Sequence, residues 1–220
     1  FAAVVLIGYS LLMYLVVAPD APDGTDPLSV AGNIAGWVDR QWLPGTFACG
    51  SFDPEGLLST LPAIVSALFG MFTGEFLLRK RSSLSGEQIA LCMALAAVAI
   101  TVIGIIWNCW IPINKKLWSS SFTCVVTGYS LGLFALFYYL IDVRGWKRWT
   151  FFFRVIGLNS ITIYLAQRIV GFGGIANFFF GGAASHCPEA IARVISNAGY
   201  VAICWLFLYF LYRKSTFLKV

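Results

Sequence analysis

Long apolar stretches separated by short polar ones make up most of this chain. Most of these stretches contain about twenty residues, the length of helix that crosses the ~30 Å hydrocarbon core of a bilayer. The pattern therefore predicts an all-α fold, a polytopic transmembrane helical bundle of about six spanning helices. The predicted spans are residues 1–18, 57–78, 88–107, 118–141, 151–170 and 193–212.

A further apolar stretch, Gly171–Ala184, follows the fifth predicted span. It is short and contains five glycines, which favours an extension or re-entrant piece over a seventh span. The chain opens inside an apolar run with neither an initiator Met nor a charged leader. We therefore expect residues 1–220 to be a single transmembrane domain taken from a longer protein.

Composition and charge agree with a membrane protein and predict its orientation. Hydrophobic residues make up 59% of the chain and charged residues 11%, whereas a soluble domain carries about 25% charge. Ten of the fifteen basic residues share one side of the predicted bundle, so the positive-inside rule places both ends in the cytoplasm. The net charge of +5 then gives no reason to expect nucleic acid as a partner. The ten are Arg79, Lys80, Arg81, Arg144, Lys147, Arg148, Arg154, Arg213, Lys214 and Lys219.

One long polar segment, residues 19–56, lies between the first two predicted spans on the non-cytoplasmic side. It is rich in Pro, Gly and Asp, and a loop of this length in a compact fold is usually functional. Within it, Asn33–Leu43 predicts a short amphipathic helix, with Trp37 on one face and Asp39 and Arg40 on the other.

Polar side chains repeat at helical spacing in two predicted spans. Because polar groups are costly in lipid, we expect the two stripes to meet and line a cavity. Hydroxyl groups also bond to carbonyls of their own helix, so the stripe of the fourth span fits a structural role equally well. The fourth span carries Ser120, Thr123, Thr127 and Ser130, and the fifth carries Asn159, Ser160, Tyr164, Gln167 and Arg168.

Small residues repeat every four positions in the second predicted span, at Ser66, Gly70 and Gly74. Such a stripe lets another helix backbone approach closely in a bilayer. The pattern favours helix packing over a role in a site.

Two loop motifs on the non-cytoplasmic side combine charge with hydrogen-bonding groups. Asp53-Pro-Glu55-Gly56 precedes a helix, where its carboxylates either cap the helix or bind a sugar. Lys115 and Lys116 lie on the side of the membrane where lysine is uncommon. They either hold a polar or anionic ligand or anchor the chain at the interface beside neighbouring tryptophans, and both alternatives stay open.

Five motifs follow one another along the chain, namely Phe52–Leu61, Ile111–Ser119, Ile141–Gly145, Gly157–Ile161 with Tyr164, and Leu211–Lys214. In order and helix spacing they resemble the C-terminal half of the transmembrane heparan-α-glucosaminide N-acetyltransferase family, including its bacterial relatives labelled N-acetylglucosamine-related membrane proteins. The resemblance covers nearly the whole chain.

The resemblance implies transfer of acetyl from cytoplasmic acetyl-CoA to the amine of a glucosamine-type sugar or glycan end across the membrane, with no metal ion. It implies three groups of residues. Cations for the donor's phosphates are Arg79, Lys80, Arg81, Arg144, Lys147 and Arg148. Candidates for the oxyanion or acetyl site are Asn114, Lys115, Asn159, Ser160 and Tyr164, and those for the sugar are Asp39, Asp53, Glu55 and Trp118.

The resemblance leaves the catalytic base outside this chain. The family's catalytic histidine belongs to an N-terminal segment with no counterpart here, and His186, the only histidine, does not match that motif. We therefore expect N-terminal helices of the same protein to supply the base, and this chain alone to be inactive. A homodimer is a further expected partner arrangement.

An amino-sugar transporter without acyl transfer is the main alternative, because polar stripes in a bundle also suit a permeation path. A structural membrane subunit is the third class. Short loops without Asn-x-Ser/Thr sites favour a bacterial inner membrane over the lysosomal membrane of eukaryotic relatives. Cys49, Cys109 and Cys187 lie on the non-cytoplasmic side and permit one disulfide there.

Overall fold

The computed structural model describes residues 1–47 and 49–218, so Lys219 of the predicted basic side lies outside the described residues. The described chain is helical, which confirms the all-α prediction. Four of its helices are long and apolar enough to cross a membrane, or five if one bent pair counts as a span. The helices are α1 Ala2–Leu15, α2 Ile34–Trp42, α3 Thr60–Lys80, α4 Gly86–Trp107, α5 Ser120–Tyr138, α6 Thr150–Gly157, α7 Ser160–Ile169, α8 Phe172–Ser185 and α9 Glu189–Arg213, with a π-helical segment at Tyr139–Val143.

Apolar side chains cover the outer surfaces of these helices. On α4, for example, Leu91, Leu95 and Val98 are all exposed. A surface of this kind is stable against lipid and not against water, because contiguous exposed apolar area of this extent carries a large hydration cost. The chain is therefore an integral membrane protein.

The first of two compact units, Phe1–Gly145, contains α1 to α5 and the π-helical segment. Its closest helix pair is α4 and α5, where a Cβ added at Gly104 or Gly128 would collide with the backbone of the other helix. The long loop folds over one end of α1, where Tyr9 and Met13 pack against Ile34 of α2. The predicted loop helix is confirmed as α2, and the Asn33 side chain caps it by accepting a hydrogen bond from the Gly36 amide at 2.6 Å.

The second unit, Trp146–Val220, contains α6 to α9. Its helices α8 and α9 pack closely, and Gly199 of α9 faces the ring of Phe180, where a Cβ would overlap the ring. Helix α6 packs on the other end of α9 through aromatic side chains, with Phe152 stacked on Trp205 at a centroid distance of 5.6 Å.

The prediction of about six spans is not confirmed, because one predicted span is divided in the structure. Helix α1 contributes 14 residues, about 21 Å of helix, to the first predicted span. The fifth predicted span is two helices, α6 and α7, which meet at Asn159. Helix α8 bends away from α7 by 81°, as expected for the short apolar stretch. The orientation with both ends cytoplasmic stays a prediction.

Candidate functional site

A cleft opens between α3 and α5 in the first unit. The two helices are in contact near Val65 and Cys124. Beyond this contact lie a cavity of about 330 Å³ and a second one of about 310 Å³ that extends towards α4. We call the first cavity the α3–α5 cleft. It is lined by Ser66, Phe69, Gly70, Thr73, Gly74, Val126, Thr127, Ser130, Leu131 and Phe134.

The small residues of α3 face this cleft, and no helix of the first unit packs on them, so the packing prediction for them stays a prediction. A Cβ added at Gly70 or Gly74 would meet nothing within 4 Å. The close contact that small residues permit occurs instead between α4 and α5. The glycines on α3 therefore keep one wall of the cleft free of side chains.

The polar stripe of α5 divides between the core and the cleft. Ser120 is buried, and its hydroxyl donates to the Leu6 carbonyl of α1 at 2.7 Å. Thr123 is also buried, whereas Thr127 and Ser130 line the cleft. Neither of these last two hydroxyls has a hydrogen-bond partner in the described part of the chain, so both are available to a ligand. The expected meeting of this stripe with that of the fifth predicted span stays a prediction.

On the opposite wall, the hydroxyls of α3 bond within their own helix. Ser66 donates to the Pro62 carbonyl at 3.3 Å, and Thr73 donates to the Phe69 carbonyl at 2.8 Å. Their donor hydrogens are therefore occupied, and only oxygen lone pairs face the cleft. A ligand in the cleft would find hydroxyl donors on α5 and acceptors on α3.

Both loop motifs that were predicted on the non-cytoplasmic side lie at the end of the first unit where α3 and α5 begin. Leu58, directly after the acidic motif, and Leu117, in the lysine motif, pack on the same cluster around Tyr9 and Met13. The Tyr9 hydroxyl also donates to the Leu117 carbonyl at 2.6 Å. The candidate sugar-binding and oxyanion residues of these loops therefore share one end of the unit.

The Asp39 carboxylate holds the backbone of the acidic motif in place. Its side chain is 1% exposed, and its carboxylate accepts hydrogen bonds from the amides of Leu57 at 3.0 Å and Asp53 at 3.3 Å. A Cβ at Gly56 would overlap this carboxylate, so the turn requires glycine there. Asp53 is half-buried and Glu55 is exposed, so Glu55 is the accessible carboxylate of the motif.

The lysine motif is held by hydrogen bonds centred on Ser119. The Asn114 amide donates to the Ser119 hydroxyl at 3.0 Å, and that hydroxyl donates to the Pro112 carbonyl at 2.8 Å. The Asn114 side-chain oxygen accepts from the Lys116 amide at 2.9 Å. This arrangement leaves Lys115 exposed at the tip of the loop.

Trp118 combines two unusual features. Its backbone has φ of +49°, a left-handed conformation that bulky residues rarely adopt. Its buried indole Nε1 has no hydrogen-bond partner among the described residues, although Trp nitrogen normally finds one when buried. Strained backbone and an unpaired donor are typical of a site that a ligand completes.

A salt bridge closes the long loop at the same end of the unit. The Arg40 guanidinium contacts both carboxylate oxygens of Asp20, at 2.7 and 2.9 Å, and also donates to the Ser51 carbonyl at 2.8 Å. The hydrogen bonds from Arg40, with its charge, hold the pKa of Asp20 below its ordinary value.

The lowered pKa predicts how this salt bridge responds to acid. Because the folded pKa is depressed, the contact is fully present above about pH 4, the ordinary carboxyl pKa, and is lost as pH falls through the folded value. A carbon NMR titration of Asp20 should therefore show an apparent pKa below about 3.9 that returns to the ordinary value in Arg40→Gln. Identical titrations in both proteins would contradict the assignment.

The opposite end of α3 and α5 carries the basic residues. Phe76, Ile89 and Ala135 pack there and join α3, α4 and α5. Arg79, Lys80 and Arg81 are exposed at the end of α3, with Arg79 paired to Glu75 at 2.5 Å. Arg144, at the end of the π-helical segment, lies 5.5 Å from the centroid of the Tyr139 ring. Lys147 and Arg148 belong to the second unit and are exposed.

In the second unit, Asn159 is the enclosed candidate. It lies at the junction of α6 and α7, is 1% exposed, and accepts a hydrogen bond from the Thr162 hydroxyl at 3.3 Å. Its side-chain nitrogen has no partner in the described part of the chain. Ser160 and Tyr164 are exposed, so within this unit the predicted stripe is not gathered into one cavity.

Histidine and cysteine do not form a further centre. His186 is exposed, as expected, and its Nδ1 lies 2.7 Å from the Gly182 carbonyl. Cys49, Cys109 and Cys187 are free thiols. Among residues 1–47 and 49–218, no group of three or more His, Cys, Asp or Glu side chains is close enough to hold a metal ion.

Comparison with known proteins agrees with the motif order. The mouse and human proteins named heparan-alpha-glucosaminide N-acetyltransferase are each 29% identical to this chain over 211 residues. The chain is similar to these two proteins. The matches cover 86% of the chain but only 30% of each relative's length, so the chain spans less than a third of them. No family model matches the chain.

Proposed function

We propose that the protein is a membrane acetyltransferase that moves acetyl from acetyl-CoA on the cytoplasmic side to the amine of a glucosamine-type sugar on the other. The observation that carries the proposal is the α3–α5 cleft. It lies between a basic end and an end with carboxylate, amide and ammonium groups, and the homologous proteins are named for this transfer.

The basic end suits the phosphates of the donor. Arg79, Lys80 and Arg81 with Arg144 supply exposed cations, and guanidinium groups bind phosphate oxygens through paired hydrogen bonds. Lys147 and Arg148 follow Arg144 closely in sequence and are further candidates for the donor's phosphates. Arg79 would exchange its exposed contact with Glu75 for the ligand, and an exposed ion pair of this kind costs little to break.

The cleft suits the acyl-bearing arm of the donor. Its volume of about 330 Å³ is within the range of small-molecule sites, about 300–1,000 Å³. The pantetheine arm carries amide groups along a flexible chain, and the free hydroxyls of Thr127 and Ser130 provide partners for them. Gly70 and Gly74 leave room on the opposite wall.

The end of the first unit that carries the acidic and lysine motifs provides groups for the reaction itself. The sugar amine attacks the thioester carbonyl carbon, the new C–N bond forms, the C–S bond breaks, and CoA leaves as a thiol after taking up a proton. Lys115 and Asn114, or Asn159, would stabilise the oxyanion of the tetrahedral intermediate. Glu55 and the unpaired indole of Trp118 would hold the sugar, and the amine's proton would pass to a base that the rest of a longer protein supplies.

Thiol release separates this function from transport. Full-length protein in liposomes, given acetyl-CoA and glucosamine, should release free CoA thiol in proportion to N-acetylated sugar. Sugar uptake without thiol release would instead support an amino-sugar transporter. As part of the same proposal we place the protein in a bacterial inner membrane, where cytoplasmic acetyl-CoA and external amino sugars meet across one bilayer.

The division of roles predicts two kinetic classes of variant. Asn114→Ala and Lys115→Ala, or in the alternative Asn159→Ala, should lower kcat by about 100-fold, as loss of an oxyanion donor does. Arg79→Ala and Arg148→Ala should instead raise KM for acetyl-CoA by about fivefold while kcat changes little. Steady-state kinetics of the full-length protein measures both. Arg193→Ala is the control, since its ion pair with Glu189 lies at the start of α9; equal effects in the two classes would contradict the assignment.

A further inference from the structure

A second basic site lies at the C-terminal end of α9, outside the residues used above. Arg154 of α6 and Arg213 of α9 line a groove of about 710 Å³, together with Leu158, Tyr212, Ser215 and Phe217. We call it the α6–α9 groove. Both arginines are exposed, and all of its lining belongs to the second unit.

This groove lacks a negative charge of its own. Glu189 is the only acidic side chain between residues 146 and 218, and it pairs with Arg193. Glu189 begins α9 and Arg213 ends it, so the two lie at opposite ends of a 25-residue helix about 37 Å long. Within the described chain, neither Arg154 nor Arg213 forms a salt bridge, and Arg213 contacts the Tyr209 hydroxyl. Both arginines line one groove, so an anion bound there would be held by two positive charges.

Aromatic packing holds the two walls of the groove in place. The Phe151 and Tyr212 rings meet edge-on with a centroid distance of 5.7 Å. The Trp205 ring stacks on the Tyr209 ring with a centroid distance of 5.1 Å. The Trp205 indole also donates to the Phe152 carbonyl across the helix pair at 3.1 Å. Rows of aromatic residues at the end of a spanning helix are typical of the membrane–water interface, where lipid phosphates lie.

We propose that the α6–α9 groove binds a phosphate ester, held by the guanidinium groups of Arg154 and Arg213 and by the hydroxyl of Ser215. Arginine binds phosphate through two parallel hydrogen bonds, and basic pockets between helices at the interface bind lipid headgroups. The backbone of Ser215, two residues after the last residue of α9, has a left-handed conformation with φ of +52°. A turn with a purely structural role usually has glycine in this conformation. The same chemistry fits an anionic phospholipid or a nucleotide phosphate, and the inference does not rest on the proposed acetyl transfer.

The test uses full-length protein in nanodiscs of phosphatidylcholine with phosphatidylglycerol as the probe lipid. Native mass spectrometry or spin-labelled phosphatidylglycerol measures lipid retained by the protein. We expect Arg154→Gln with Arg213→Gln to lower its apparent affinity by about tenfold, since each removes a charge-assisted contact. Arg193→Gln removes one positive charge from the same unit at the other end of α9 and should leave retention unchanged.

A parallel titration with adenosine 3′,5′-bisphosphate separates the two sources of phosphate. Loss of lipid retention alone assigns the groove to a headgroup, and loss of bisphosphate binding alone assigns it to a nucleotide. Unchanged binding of both probes in the double variant overturns the proposal. An equal loss in Arg193→Gln also overturns it, because general surface charge would then explain the binding. Arg154→Lys with Arg213→Lys keeps the charge and should retain part of the affinity, which guards against misfolding as the cause.

Discussion

Gly70→Leu should lower acetyl transfer by at least about tenfold while the protein still folds. The side chain at this position would project into the α3–α5 cleft, where a Cβ meets nothing within 4 Å, so the substitution fills the path without a clash in the packed core. Leucine also has a higher helix propensity than glycine, so α3 should not be weakened. Thiol release from acetyl-CoA by full-length protein measures the effect, with a thermal melt to verify folding.

Gly8→Leu is the matched control for this prediction. Gly8 lies on α1, is exposed, and likewise has nothing within 4 Å of an added Cβ, but it lines no part of the cleft. We expect Gly8→Leu to retain full activity. Normal turnover in Gly70→Leu would show that the acyl-bearing arm does not pass between α3 and α5.

Asp39→Ala should destabilise the long loop by about 3 kcal/mol, because it removes the acceptor of two backbone amides in an enclosed site. The carboxylate is 1% exposed, so water cannot easily replace it. The expected result is a Tm lower by several degrees in detergent, together with faster proteolysis of the loop. Differential scanning fluorimetry of the purified protein measures the shift.

Asp23→Ala provides the comparison for this second variant. Asp23 lies in the same loop and is exposed, so its replacement should leave Tm unchanged. If Asp39→Ala kept the normal Tm but raised KM for the sugar, Asp39 would contact substrate directly and its structural role would be refuted.

The local sequence pattern was sufficient to predict elements whose structure depends only on neighbouring residues. The amphipathic spacing within Asn33–Leu43 predicted α2, because Asn33 can cap the helix and Trp37 can turn inward without help from distant residues. The polar stripe of α5 was also visible, since helical periodicity alone places Thr127 and Ser130 on one face.

The local sequence pattern was not sufficient to predict features that depend on contacts with residues distant in sequence. The apolar run from Phe151 to Val170 is continuous in hydropathy, so nothing in its average marked the break at Asn159. The spacing of Gly70 and Gly74 placed them on one face but could not say whether that face meets a helix or a cleft. The same limit applies to Asp39, which was predicted as a sugar contact and is covered by a turn many residues later in the chain.

The basic groove on α6 and α9 was missed for a related reason. Arg154 and Arg213 were recognised as part of the basic side of the bundle, but they are far apart in sequence and no single motif contains both. The absence of acids near them was a signal that the sequence did carry, because residues 146–218 contain a single carboxylate side chain. Its significance emerged only when the structure placed both arginines in one groove.

Thiol protection at Thr127 tests the central claim most directly. In full-length protein whose native cysteines are replaced, Thr127→Cys should react with a small maleimide, and acetyl-CoA should slow that reaction by about tenfold or more by filling the cleft. Adenosine 3′,5′-bisphosphate, which lacks the pantetheine arm, should not protect it, and Asp23→Cys in the exposed long loop should react equally with and without ligand. Unchanged labelling at Thr127→Cys under saturating acetyl-CoA, in protein that still transfers acetyl, would contradict the account.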